Sequence, residues 1–440
     1  MRGLVVGIVM AGGTAISAEA LAQGAAPTNE YAVDLFRGPI LAPNRIVGMA
    51  GAYAGVGEGI PGLLVNAAAP AVRPLYAVDD FDWDLAASLS VPLPIAENND
   101  FDNSGERDTQ DALFVYATGG ALVEKGPFGA GALIELERYS VTSGGDTTQA
   151  LIARYHGLMG VALDGGNVVV GAGVRAVTMG IAGPDAELTL AGIGPQVGVL
   201  VRPENHPFRV GATLRGPVDG GALGEGAPTG VDGVRRVGGL VLPDAVVLPW
   251  ELEIGAALQL GPRPLQRRFE DGAADITRVR AAAFAAGGGE KEMDEAESEW
   301  RHERIVKTRD FPREHLLITA SLLVTGPVDD GVGLEAFLAQ RSQGNDLTPG
   351  RSGASQNFSP RVGLQAEPLP NWLQTRFGTY YEPNRFEGTG RQHFTFGADL
   401  RLLSTTFWDL VPDGVTYSIL TAVDLAPRYE SISLGIGVWR

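Results

Sequence analysis

From Asp82 to the C-terminus, hydrophobic and polar residues alternate in segments of about ten residues separated by turn formers, the pattern of strands with one face toward lipid and one toward a lumen. The clearest segment is the last. Ile432, Leu434, Ile436 and Val438 fall on one face, Ser431, Ser433, Gly435 and Gly437 on the other, and Trp439 stands at the tip. In 392–402, Phe394, Phe396, Ala398, Leu400 and Leu402 face outward, and His393, Thr395, Asp399 and Arg401 inward. Further strands are expected at 82–93, 111–123, 128–139, 148–163, 167–179, 187–202, 207–215, 236–260, 315–325, 331–341, 356–366, 372–382 and 415–425. That makes fifteen, whereas bacterial single-chain barrels have an even count. Strand directions disagree across 217–313, which places the error there and favours fourteen strands, with sixteen as the alternative.

Other stretches break the alternation. Residues 271–286 and 290–309 are rich in helix formers and are separated by Gly287, Gly288 and Gly289, so the insertion 265–313 reads as a charged helical hairpin in water or as a disordered loop. The apolar stretch 4–16 after Arg2, followed by Ala20-Leu21-Ala22, has the layout of a cleaved signal peptide covering 1–22. No later apolar run reaches the roughly 20 residues of a spanning helix.

Between the signal peptide and the first strand, 23–78 reads as a plug. Its centre, 45–70, is dense in Gly and Ala and is interrupted by Pro61. Arg45, the run Gly48-Met49-Ala50-Gly51-Ala52-Tyr53-Ala54-Gly55-Val56 and the later Asn66-Ala67-Ala68-Ala69 resemble the N-terminal hatch of the FadL/TodX family of outer-membrane hydrophobic-compound transporters. That family usually has Gly where Ala50 stands and Pro where Ala67 follows Asn66. Weaker echoes lie at Leu242-Pro243-Asp244 and Arg376-Phe377-Gly378-Thr379-Tyr380. The resemblance implies a barrel that passes long-chain fatty acids or similar hydrophobic molecules by diffusion. The competing motif, G-x-G-x-x-G at Gly57-Glu58-Gly59-Ile60-Pro61-Gly62, lacks a strand-helix alternation after it, and Pro61 falls where a phosphate-binding helix would start.

Charge and composition narrow the function further. With 34 basic and 52 acidic residues the net charge is -18, which opposes any grip on nucleic acid. There are no cysteines, hence no disulfides and no thiolate sites. His156, His206, His302, His315 and His393 show no metal-ligand spacing, and no catalytic motif is present, so neither enzyme activity nor a cofactor is expected. Asp100, Asp102, Ser104, Glu106, Asp108 and Asp111, with Gly105 at the turn, approximate a calcium loop without its flanking helices, and an acidic exposed loop is the favoured reading.

The expected lumen face carries both signs: Arg154, Arg175, Arg209, Arg215, Glu335, Arg341, Arg361, Gln365, Glu367, Gln374, Arg376, Glu382, Asp399 and Arg401. Such charges would pair across strands and bridge to the plug, giving a filled lumen. Within the plug, Gly48 to Gly62 is the expected hinge, with Gly51 and Gly55 in it. Tyr53, Ile60, Leu63 and Leu64 are the apolar contacts, and Arg45 and Asn66 bond to the inward charges. The expected partners are outer-membrane lipid and a hydrophobic small molecule. The insertion 265–313 has no identifiable partner, and the competing function is a barrel that docks or secretes another protein. An apolar pocket near the outer mouth separates the two.

Overall fold

Fourteen of the fifteen alternating segments form strands whose apolar face turns outward, and in the computed structural model they close into one antiparallel barrel. The structure describes residues 28–75, 80–92, 100–104, 113–143, 146–183, 186–224, 226–266, 272–309, 312–340, 350–386, 388–404 and 416–439. The strands are β1 (Phe81–Pro92), β2 (Leu113–Lys125), β3 (Phe128–Ser143), β4 (Asp146–Leu163), β5 (Val168–Gly183), β6 (Ala186–Val201) and β7 (Phe208–Arg215). They continue with β8 (Glu251–Leu260), β9 (Leu316–Thr325), β10 (Asn357–Leu369), β11 (Leu373–Glu382), β12 (Arg391–Ser404), β13 (Thr416–Ala426) and β14 (Tyr429–Trp439). First and last strands pair from Ala87 with Ile436 to Pro92 with Ser431, leaving no open edge there. We call the end where β1 starts and β14 finishes the lower end.

Outside, the barrel shows an apolar belt. Phe128, Met159, Ile193 and Ile436 are each more than 60 % exposed, and Leu85, Leu151, Phe394 and Phe396 extend the belt around the wall. Soluble monomers avoid an apolar surface of this extent, whereas a bilayer covers it. The wall is uneven in height. β3 to β6 have 16 to 18 residues each, but β7 to β9 have only 8 to 10.

The upper end is filled by folded chain. The short strand Ala32–Asp34 lies between Ala245–Leu248 and Gly331–Gly333, parallel to both, so the N-terminal segment is the centre of a small cap sheet. A soluble-type core joins this cap to the wall. Val33, Leu35, Tyr139, Ile152, Met179, Ile181 and Phe337 are all buried in it. The inward face of β3 to β5 is therefore apolar near the top and charged only lower down.

Several expectations need correction. The superfluous strand is 331–341, outside the suspected region 217–313. Only Gly331–Gly333 is strand, and Leu334–Ala339 is helix, with Phe337, Leu338 and Ala339 buried in the upper core. An apolar run this short fits either period. Glu335 therefore sits on a helix, where its carboxylate accepts from the Tyr139 hydroxyl at 2.5 Å, and Arg341 lies outside the described residues. In 236–260 only Glu251–Leu260 belongs to the wall. The insertion is helical rather than disordered, with Gly272–Ala285 and Glu290–Arg309 paired by Arg280 to Asp294 and Glu297. The signal peptide 1–22 and the acidic positions 106, 108 and 111 lie outside the described residues. Asp100 is buried and pairs with Arg428 at 2.9 Å.

None of the described side chains of the hairpin is buried. Replacing residues 272–309 by a short Gly-Ser linker should therefore leave a barrel that still migrates faster on gels unheated than boiled, with only its helical circular dichroism lost. Loss of the fast-migrating form would show that the hairpin contributes to barrel closure.

Candidate functional site

A barrel of fourteen strands is too wide for its own side chains to fill, and the space is taken by residues 28–75. Rather than standing as a stopper in the middle, this segment runs around the inner wall. Asn44 meets β14 at Gly435, Gly48 meets β12 at Gly397, and Met49 and Ala50 meet β10 and β11 at Gly363 and Gly378. Ala54 and Gly55 then lie on β7 and β8, Asn66 on β6, Ala67 on β5, and Pro70 and Ala71 on β3 and β4.

Where the plug backbone presses closest, the wall is mostly glycine, with Thr213 and Thr395 bonding it from their side chains. Gly129, Gly160, Gly171 and Gly198 stand directly opposite one another on β3 to β6, and Gly211 pairs with Gly255 on β7 and β8 and Gly363 with Gly378 on β10 and β11. A Cβ on Gly363 would lie 2.6 Å from the Met49 carbonyl oxygen, and one on Gly378 2.7 Å from the Ala50 Cβ. From the plug side, a Cβ on Gly55 would lie 2.6 Å from the Ala256 carbonyl carbon. Backbone meets backbone here with no side chain between.

Local chemistry shapes the ring. Helix α1 (Asn44–Gly48) follows Pro43 and ends as Ala50 and Gly51 turn left-handed, at φ 52° and 71°, with Gly51 N–H donating to the Ile46 carbonyl. Ala50, where the resembling family has Gly, thus holds a conformation that costs a residue with a Cβ. Helix α2 (Gly59–Val65) contains Pro61 and puts Ile60 and Leu63 against Leu122, Leu133 and Leu158 of the wall, with Leu64 half-buried beside them. Gly57 and Gly62 are folded against each other in this buried turn, not arranged around a phosphate. Asn66 pins the turn to the wall. Its Nδ2 donates to the carbonyls of Ala54 and Val199 at 3.0 and 3.2 Å, and its Oδ1 accepts from Ala68 N–H.

Charges lock the ring from both sides. Arg45 donates to Gln365 at 3.0 Å, reaches Glu58 at 3.3 Å and lies over the ring of the fully buried Tyr53. Glu58 also pairs with Arg209 at 2.9 Å. Burial alone would raise the Glu58 pKa, but Arg209 and Arg45 together hold it down at about 2. Its ion pairs are therefore intact above the ordinary carboxylate range and are lost only as pH falls through about 2. Of the expected lumen residues, Arg376 grips Asp399 with two hydrogen bonds of 2.5 and 2.6 Å, and Arg361 lies 3.7 Å from Glu253. Arg401 sits at the lower rim over Trp372.

Higher up, residues 34–40 cross the lumen as a tethered strap. Asp34 accepts from Arg385 at 2.9 Å, Arg37 donates to Glu135 at 2.6 Å, and Ile40 N–H donates to the Tyr380 hydroxyl. Tyr380 donates to Asp424, which shares the fully buried His393 with Glu382 at 2.8 and 2.5 Å, and Arg391 completes the chain on Glu382. An imidazole between two carboxylates donates from both nitrogens only when protonated. Sequence reading placed Glu382 and His393 on the inward face but did not join them, and it missed Tyr380 and Asp424, which lie 44 positions apart in the chain.

Three cavities among the described residues border the plug. The lower one, about 180 Å3, lies among Arg45, Glu58, Pro61, Ala86, Leu265 and Leu317. A charged middle cavity of about 110 Å3 lies between the plug and the wall at Glu135, Arg154, His156 and Arg215. The upper one, about 80 Å3, is lined by Phe36, Pro39, Leu41, Phe101, Leu334 and Phe386, with Arg37 at its edge. Arg37 and Leu41 line both the middle and the upper cavity.

The backbone contacts generate a test. Gly363→Val or Gly211→Val should cost about 1–3 kcal/mol of plug seating and raise ion conductance in planar bilayers at least tenfold while the barrel stays folded. Gly180→Val, with nothing within 4 Å of the added carbon, should behave as the unaltered protein. Equal conductance for all three would show that the ring is not the seal.

No protein-family profile matches the sequence, and no curated protein does. Among solved structures the chain is similar to the Pseudomonas putida toluene transporter TodX, at 11 % identity and a TM-score of 0.49, covering 92 % of this chain and 98 % of that one. It is similar to the CymD monoaromatic hydrocarbon channel at 9 % identity and a TM-score of 0.46, with 90 % and 96 % covered. CdiB from Acinetobacter baumannii follows at 8 % identity and a TM-score of 0.36, with 82 % and 60 % covered.

Proposed function

We propose that the protein is an outer-membrane channel for passive uptake of hydrophobic compounds, and that its cargo is a long-chain fatty acid or a similar amphipathic carboxylate. The observation that carries this reading is the upper cavity. Phe36, Leu41, Phe101, Leu334 and Phe386 line it together with Asp34, Asp102, Glu137, Glu335 and Arg385, and Arg37, also in the lining and paired with Glu135, has a buried Nη1 without a hydrogen-bond partner among the described residues. A hydrocarbon chain with a terminal carboxylate satisfies both features, since the guanidinium fork fits a carboxylate and the walls take apolar surface out of water at about 25 cal/mol per Å2.

We place the lower end, which holds both barrel termini, toward the periplasm, so that the upper cavity faces outward. Cargo seated there must pass the 34–40 strap and then the charged middle cavity. The plug gates this passage, with Gly48, Gly51 and Gly55 in the segment that must shift and Tyr53, Ile60, Leu63 and Leu64 as its apolar contacts. The signal peptide at 1–22 supplies export.

The test is uptake by cells that carry the protein as their sole channel of this kind. Arg37→Gln should lower uptake of a labelled long-chain fatty acid about tenfold and leave a neutral hydrocarbon of the same length unaffected. Equal loss for both cargoes overturns the carboxylate. Absence of uptake of either by the inserted, unaltered protein overturns transport and leaves a docking barrel.

A further inference from the structure

The lower cavity is closed by chain that belongs neither to the plug ring nor to a strand. After Leu260 the backbone turns at Gly261, φ 113°, and residues 263–266 run back across the lower mouth instead of leaving into water. Leu265 is buried in the same cluster as Tyr53 and Val56 of the plug. The Gln266 amide donates to the carbonyls of Pro203, His206 and Phe208, at 2.5, 2.8 and 3.3 Å, and accepts from Arg209 at 3.0 Å. Arg209 also donates to the carbonyls of Leu265 and Val56 and pairs with Glu58. One guanidinium thus joins wall, plug and crossing segment.

Further along the chain stand α3 (Gly272–Ala285) and α4 (Glu290–Arg309), followed by Arg313 ahead of β9. Arg313 and Arg263, at the two feet of the hairpin, both face the buried Glu367, at 3.2 and 3.9 Å. At about 1.5 Å per residue, the 20 residues of α4 reach roughly 30 Å from the mouth.

The two closures differ physically. The plug ring is held by backbone pressed closely on backbone, so any shift of it must be small. Residues 263–266 are held by side-chain hydrogen bonds of Gln259, Gln266 and Arg209, by the approach of Arg263 to Glu367 and by Leu265, all of which can be exchanged for water. We propose that residues 263–266 form a gate across the lower mouth of the lumen and that the α3–α4 hairpin is the arm that moves it. Displacing the arm pulls Gln266 from the turn after β6 and Leu265 from the plug, which opens the lower cavity and frees Arg209 from one of its two neighbours.

The chain has no cysteine, so a single introduced thiol reports access. Ala86→Cys lines the lower cavity, and its reaction with a membrane-impermeant maleimide should be about tenfold faster in the L265G/Q266A background, with heat-modifiable migration unchanged. An unchanged rate in that folded variant overturns the gate. Where that variant does not fold, Leu265→Cys in the otherwise unaltered chain decides. It should react far more slowly than Phe284→Cys, whose side chain is 67 % exposed, and an equal rate overturns the gate. Replacing 272–309 by a short linker should change the Leu265→Cys rate severalfold, and an unchanged rate overturns the role of the arm. These measurements read solvent access and need no cargo, so failure of fatty-acid uptake leaves the gate standing.

Discussion

The contact on which the rest depends is the approach of the plug backbone to the glycine rows of the wall. A side chain at Gly171 or Gly211 would occupy the place of the Ala67 or Ala54 carbonyl, so plug and wall fit only while both surfaces lack side chains. This close fit lets a wide barrel be shut by fewer than fifty residues without a disulfide, and it sets the plug as a ring along the wall rather than a ball in the centre. The space inside the ring is then small enough to be filled by Tyr53, Met49 and Ile46 on one side and by the arginine-carboxylate pairs on the other.

Those pairs serve position more than stability. A buried ion pair gains little over apolar residues of the same volume, but leaving one partner alone is costly. Arg45, Arg209 and Arg215 each reach at least two acceptors, at least one of them in the plug. A plug displaced by one residue would strand several charges at once, and the register is thereby selected. The same charges make the middle of the lumen hostile to apolar cargo, which is why the apolar cavity sits above them.

Most of the barrel is legible in the sequence because a strand with lipid on one side and polar groups on the other must alternate, and fourteen segments do. Segment 331–341 misled because Val332, Phe337 and Leu338 face a folded cap, where helix and strand bury equally well. Arg45, Tyr53 and Asn66 stand in the motif that carries the resemblance; Arg45 bonds Gln365 of the wall, whereas Asn66 bonds the Ala54 and Val199 carbonyls rather than the inward charge expected of it. Their wall partners could not be named from that motif. Nothing in the spacing of Gly160 or Gly363 distinguishes a glycine that admits another backbone from one in a turn, and the His393 cluster joins residues from three strands and the plug.

The strand Ala32–Asp34 lies at the top of the lumen between two loops that are made some two hundred and three hundred residues later. A strand so enclosed cannot be slid into a finished cylinder from below without crossing the whole charged interior. Order of assembly follows from this. The leading segment must already be lying along the growing sheet when β1 and β14 meet, and the wall wraps around its own beginning, so that the final pairing of Ala87 with Ile436 seals in place a thread that was laid down first.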